Sequence, residues 1–350
     1  MRDLLRRLWP LFKWLLTAAI LVFLGLHFWR DLQKLEVWER WLRRPQYLVA
    51  AGLLYLLGIG FSGVYWRRLL ARFERAPSLL IAERAYYLGH LGKYLPGKAW
   101  ALFLRASLVR DAGVGPALAT MTAFYEVLVT MSSAVLLAAV LFAALAPPSP
   151  TGLDLDYLKR IILLQGDESN VVDRNTSVAL SLLLLVPVGL PVVPPVFNRL
   201  VHHLSLPFRD RDTPAPAIPW PAYFEGLALT GWGWVLQAGS LAVVLFAGME
   251  ALPREVPWLF LGRVVAIMGA SYVAGFVIML PSGLGVREYF LTLFLVPELQ
   301  HLLGVAHADA RAQAVQAVIV LRLVWTAAEL VIASVVYWFQ PSPPGSAAAQ

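Results

Sequence analysis

Residues 117–146 read ALATMTAFYEVLVTMSSAVLLAAVLFAALA, thirty residues that carry a single charge, Glu126. A helix needs about 20 mainly apolar residues to cross ~30 Å of hydrocarbon. This run is long enough to do so with a turn to spare at each end. Working outward, comparable runs lie at Lys13–Trp29, Tyr47–Trp66, Val178–Phe197, Tyr223–Ala247, Trp258–Leu280 and Gln313–Phe339. The first follows Arg2, Arg6 and Arg7 and leads into Phe28-Trp29-Arg30-Asp31 without a small-residue cleavage site, so it reads as a retained anchor. The second has aromatic residues at both ends, where an interfacial belt puts them. The fourth holds Pro187, Pro191, Pro194 and Pro195, which predicts distortion of its second half.

Composition agrees. Hydrophobic residues make up 59% of the chain and charged residues 15%, with a mean hydropathy of +0.66. An ordinary globular protein has about 25% charged residues. These values exclude a soluble enzyme, a disordered chain and an outer-membrane barrel, whose alternating strands are much weaker in hydropathy. The class is all-α: a polytopic membrane protein of about seven transmembrane helices plus two broken or re-entrant segments. The absence of cysteine removes disulfides, thiolate metal sites and cysteine nucleophiles. A net charge of +7 fits basic rims against anionic headgroups and does not call for nucleic acid.

The two broken segments are Leu79–Leu108, with Pro96-Gly97 at its centre, and Pro281–Leu299, which opens Pro-Ser-Gly-Leu-Gly-Val-Arg. Each sets a Pro/Gly break beside basic residues in apolar sequence. Within a membrane, non-helical backbone survives only where protein buries it or it lines a watery cavity. Re-entrant helices are therefore expected, the alternative being amphipathic helices lying on the surface. Residues 1–340 form one transmembrane domain, and 341–350 are expected to be a disordered tail. Arginine and lysine in the N-terminus, in the loop at 67–75 and in the loop at 199–211 put those segments on one side, assigned to the cytoplasm. Arg30–Arg44, with five basic residues against three acidic, runs against that assignment. An internal repeat is suggested: helix, break, helix with Glu126, then helix, break, helix with Glu329. Counting spans makes the two units parallel, and one miscounted re-entrant segment would make them inverted.

Ionisable groups at membrane depth cost at least ~2.5 kcal/mol and are normally paired or functional. Glu126 is the clearest, read either as mechanistic or as a packing ion pair with Arg105 or Arg322. Arg322 and Glu329 are seven residues apart on one helical face, about 10 Å along the axis, too far to pair with each other. Tyr87, His90 and Tyr94 follow helical spacing beside Lys93; they line either a site or the lipid interface. A helix starting after Pro96 and Gly97 exposes free N–H groups near Lys98, an arrangement suited to phosphate. Gly283 and Gly285 permit close backbone approach one turn from Arg287, with Glu288 next to it. No P-loop, nucleophile elbow or dinucleotide fingerprint occurs, so neither an enzyme nor a cofactor is indicated. His202-His203 points in two directions on a helix and reads as incidental, so no metal is expected.

Tyr94-Leu-Pro-Gly-Lys98, Arg105, Glu126 and Pro281-Ser-Gly-Leu-Gly-Val-Arg-Glu288 together resemble the flippase-like membrane domain of lysylphosphatidylglycerol synthases. The resemblance runs from about Lys13 to Phe339, with Ser282 standing where the family more often has glycine. It implies movement of a lipid between leaflets by a stand-alone member, since the chain stops at Gln350 without an aminoacyltransferase domain. The expected partners are membrane lipids, anionic or phosphate-bearing, in a prokaryotic inner membrane. Two other readings stay open: a non-catalytic partner of an envelope-lipid or glycolipid enzyme, and a membrane-embedded headgroup transferase.

Overall fold

The computed structural model describes residues 41–73, 77–94, 100–145, 155–162, 174–205, 216–249, 257–277 and 286–338. The expected first span, both Pro/Gly breaks (with Pro96, Gly97, Lys98, Gly283 and Gly285) and the C-terminal tail lie outside the described residues. In chain order the helices are α1 (Pro45–Phe73), α2 (Leu79–His90), α3 (Trp100–Leu108), α4 (Pro116–Leu145), α5 (Leu155–Ile162), α6 (Arg174–Gly189), α7 (Pro194–Ser205), α8 (Trp220–Gly248), α9 (Pro257–Val277), α10 (Val286–Leu303) and α11 (His307–Trp338). Among the described residues there is no strand. Six helices are long and apolar enough to cross a membrane: α1, α4, α6 with its 3-10 extension to Val192, α8, α9 and α11. The chain is a multi-pass, all-α membrane protein. Leu53, Leu57, Val140, Val186, Trp232 and Val331 stand exposed on the outside of the bundle, where hydrocarbon takes the place of water.

The proline-rich span breaks as its sequence requires. Pro187 lies inside α6, the helix stops at Gly189, a 3-10 turn covers Leu190–Val192, and Pro194 opens α7. Segment 79–108 is also broken, and it is inserted into the bundle. α2 has 12 residues and α3 has 9, about 18 and 14 Å, so neither crosses ~30 Å. The two lie antiparallel, close enough that a Cβ at Gly92 would sit 2.6 Å from Ala101 Cα and one at Gly89 would sit 3.2 Å from Ala101 O. α2 buries Ala82, Ala85, Tyr86 and Gly89 and packs against α1 and α11. Of the two readings of this segment, a re-entrant hairpin is the one observed.

Side-chain contacts fix the directions of α1, α2, α8, α9, α10 and α11. Arg67 donates to Pro77 O at 2.9 Å, so α2 starts at the end of the bundle where α1 finishes, the Arg72 end. Arg68 and Arg72 both bond Glu225, Arg72 at 2.7 Å, so α8 starts there too. Arg84 donates to Val336 O at 3.0 Å, which brings the finish of α11 to the same end. At the opposite end Arg44 donates to Met249 O at 3.2 Å, joining the start of α1 to the finish of α8. Arg263 and Glu298 pair at 2.7 Å, so α10 runs back beside α9 toward that opposite end.

These directions overturn the parallel repeat. The sixth apolar run, read as opening the second unit, is the first limb of a second hairpin, α9–α10. The helix that opens the second unit is α8. Unit one is α1, the α2–α3 hairpin and α4; unit two is α8, the α9–α10 hairpin and α11, in inverted orientation. The packing repeats with it: α1 on α2 and α3 on α4 in one unit, α8 on α9 and α10 on α11 in the other. The opening helices cross where a Cβ at Gly58 would lie 2.7 Å from Gly233 O and one at Gly233 would lie 2.6 Å from Gly58 O. Small residues allow such approach where helices associate without a hydrophobic drive between them. Hydropathy measures apolar length and cannot tell a limb that returns from one that leaves, so a count of spans assigns the wrong orientation here.

Candidate functional site

The site is built from three carboxylates inside the bundle. Glu126, on α4, is 1% exposed and accepts from Arg105 at 2.7 Å, Tyr86 Oη at 3.0 Å and Thr130 Oγ1 at 3.0 Å. Arg105 comes from α3 and lies over the Tyr86 ring, 3.8 Å from its centre. A cation over an aromatic face is attracted by the ring quadrupole, and more strongly when desolvated. Of the two partners expected for Glu126, Arg105 is the one it has.

Glu329, on α11, holds the second cluster. Lys93 and Tyr55 both donate to its Oε1, and Tyr94 donates to Oε2 at 2.8 Å. His90 Nε2 is 3.1 Å from Lys93 Nζ and 3.2 Å from Tyr55 Oη. An ammonium has only donors, so Nε2 accepts and the imidazole proton belongs on Nδ1. Tyr55 stacks on Trp325 at 4.0 Å between ring centres, which fixes its hydroxyl toward Glu329. His90, Lys93 and Tyr94 thus share one site, whereas Tyr87 turns away and donates to Leu56 O at 2.9 Å.

Glu288, on α10, accepts from Arg287 at 2.8 Å and Arg322 at 3.0 Å. Arg287 also donates to Tyr272 Oη at 2.8 Å and lies over that ring, 4.7 Å from its centre. Tyr272 in turn contacts Trp325, with ring centres 5.8 Å apart. Arg322 and Glu329 do not pair with each other. Each takes its partner from a different hairpin, so one face of α11 receives the tip of the first at Glu329 and the start of α10 at Arg322. Thr326 lies between them, 3.3 Å from Tyr94 Oη.

The hairpins carry a recurrent constellation. Tyr86, Gly89 and Arg105 in the first correspond to Tyr272, Gly275 and Arg287 in the second. In each, an arginine from the returning limb packs at a glycine of the outgoing limb and covers a tyrosine one turn before that glycine. Among the described residues each of these arginines keeps a buried Nε with no hydrogen-bond partner. The same spacing aligns Gly97 with Gly283.

Compared with known proteins, the chain matches no family model and no curated protein sequence. Among the described residues, no group of three or more histidine, aspartate or glutamate side chains is placed to hold a metal ion.

The sequence pattern singles out Lys93, Tyr94, Arg105, Glu126, Arg287, Glu288, Arg322 and Glu329, and all eight fall in these three clusters. It passes over Tyr55, Tyr86, Tyr272 and Glu83. The tyrosines carry no charge and vanish into a hydropathy profile. Glu83 has a usable signal, an acid within LLIAERAYYLG, the same signal that exposes Glu126.

Proposed function

We propose that this protein is a lipid translocase that moves an anionic or phosphate-bearing lipid between leaflets of a prokaryotic cytoplasmic membrane. The observation that carries the reading is the meeting of two oppositely oriented hairpins on one charged helix face inside the bundle. Inverted repeats with broken helices are the architecture in which transporters build a mid-membrane site that opens to either side. Among the described residues of the three clusters, Lys93, Arg105, Arg287 and Arg322 accompany the ion-paired carboxylates Glu126, Glu288 and Glu329, an excess of one cation. Such an excess suits a phosphate headgroup. A polar path for the headgroup lowers the cost of carrying charge through hydrocarbon while acyl chains stay in lipid.

Arg105 serves as a buried counter-ion to Glu126, and Arg287, more accessible, is the better candidate to meet a phosphate. Lys98, beside the first break, is a second.

Reconstitution into vesicles tests the proposal. The expected result is that the purified protein alone moves a labelled anionic phospholipid between leaflets, and that Arg287→Ala slows this at least several-fold. Movement only in the presence of a biosynthetic enzyme would make the chain a scaffold, and a change in lipid mass would make it a transferase. For orientation, single cysteines are introduced into the naturally cysteine-free chain. Asp156→Cys is expected to label from outside and Arg72→Cys only from the cytoplasm; the reverse pattern would invert the topology.

A further inference from the structure

Glu83 lies on α2, one turn before Tyr86 and Tyr87, and plays no part in the three clusters. Both its carboxylate oxygens are buried, and among the described residues neither has a hydrogen-bond partner. They rest directly on the backbone of α1, where a Cβ at Gly63 would lie 2.7 Å from either oxygen. The Tyr87 hydroxyl occupies the neighbouring space at Gly60, 2.8 Å from a Cβ built there, and it donates to Leu56 O. The two glycines thus make room for an acid that then receives nothing in return. A buried ionised carboxylate without partners is very costly, and such a group takes up a proton instead.

The surroundings define what can answer that acid. Burial dominates its electrostatics, and the charge of Arg105 on α3 offsets that only in part. Among the described residues, Arg67 of α1 is engaged with Pro77 O, and Arg84 of α2 with Val336 O. On α11 the acid Glu329 is occupied by Lys93, and on α4 Glu126 is occupied by Arg105 itself. The titratable neighbours on its own helix are Tyr86, bonded to Glu126, and Tyr87. Arg105 itself holds Glu126 through Nη1, and among the described residues its buried Nε has no hydrogen-bond partner.

We propose that Glu83 is a proton-binding site and that the structure is its protonated state. The balance is simple: one proton leaves the carboxyl group to solvent, with no other covalent change. The ligand here is the proton itself, and the inference does not depend on which molecule is transported.

Infrared difference spectroscopy on the full-length protein in lipid nanodiscs tests it without any transport assay. Wild type at neutral pH is expected to show a carboxylic-acid carbonyl band that disappears on raising the pH. Glu83→Gln is expected to lack the band at every pH while keeping the fold, because the amide imitates the neutral acid. Glu126→Asp, which keeps the ion-paired charge, should retain it. Absence of the band in wild type at neutral pH would overturn the proposal without recourse to any variant. Its persistence in folded Glu83→Gln would overturn it equally.

Discussion

The two hairpins contain the same three residue types in the same arrangement, yet they treat their arginines differently. In the first, Arg105 and Glu126 are sealed, with side chains 4% and 1% exposed. In the second, Arg287 and Glu288 are 18% and 22% exposed, and Glu288 is shared with Arg322. Tyrosine supports the pair in both, but in opposite senses: Tyr86 donates to the carboxylate, whereas Tyr272 accepts from the arginine. An inverted repeat is expected to hold its halves in different conformations at any moment, since that difference is what closes one side and opens the other. The tyrosine, glycine and arginine are one constellation in two settings, while the acids differ in origin: Glu126 comes from α4, Glu288 from α10 itself.

The largest expected effect separates the two settings directly. Glu126→Gln leaves Arg105 buried without its counter-charge, and removal of one partner of a buried pair costs about 3–5 kcal/mol. Glu288→Gln strands cations that still reach solvent and other groups, so about 1–2 kcal/mol is expected. Thermal unfolding of the purified variants in one lipid–detergent system makes the comparison. Introducing Arg105→Met into Glu126→Gln should recover most of the loss. Equal destabilisation by Glu126→Gln and Glu288→Gln would erase the distinction between sealed and accessible pairs.

Next in size is the contact between the units. Gly58→Ala sets a methyl group 2.7 Å from Gly233 O, a backbone atom that cannot move without shifting α8. Overpacking of this kind costs about 1–3 kcal/mol. Gly52 lies on the same helix, and a Cβ there meets Ala328 Cβ at 3.5 Å, ordinary van der Waals contact. Gly52→Ala should change stability by no more than about 0.5 kcal/mol. If the two substitutions are equally tolerated, the crossing at Gly58 and Gly233 is not the tight junction between the units.

Much of this architecture is legible in the amino-acid sequence. Apolar length locates the spans, and the cost of charge in hydrocarbon points to Glu126, Arg322 and Glu329, because both signals depend only on local composition. The Pro/Gly break beside Lys93 likewise marks the α2–α3 hairpin. The inversion is not legible, because α9 has the length of a full span and its antiparallel return is decided by contacts such as Arg263 with Glu298. Partner choice is hidden for the same reason. Arg105 and Glu126 are 21 residues apart, and Lys93 and Glu329 are 236 apart, so only the folded bundle selects these pairs over the other combinations of acid and base. Tyr55 and Tyr272 become site residues through the aromatic contacts with Trp325, which no spacing in the chain announces.

The smallest expected effect is the most discriminating, because it leaves every charge in place. Tyr86→Phe and Tyr272→Phe each remove one oxygen and keep the ring over the arginine, so the cation–π contact survives in both. At Tyr86 the lost group is a donor to a sealed carboxylate. Hydrogen bonds to charged groups contribute about 1.5–3 kcal/mol, and the low end is expected because Thr130 and Arg105 still bond Glu126. At Tyr272 the lost group is an acceptor for a guanidinium that keeps Glu288 as a partner, so about 0.5–1 kcal/mol is expected. The order should hold in stability and reverse in transport. Loosening Arg287 alters the more accessible pair, where the proposed function would bring a headgroup, while Tyr86→Phe only weakens a counter-ion that stays buried. Stability and lipid movement measured on the same two variants would therefore rank them oppositely. Agreement of the two rankings would mean that the second hairpin is no closer to the transported lipid than the first, and the accessible pair would lose its assigned role.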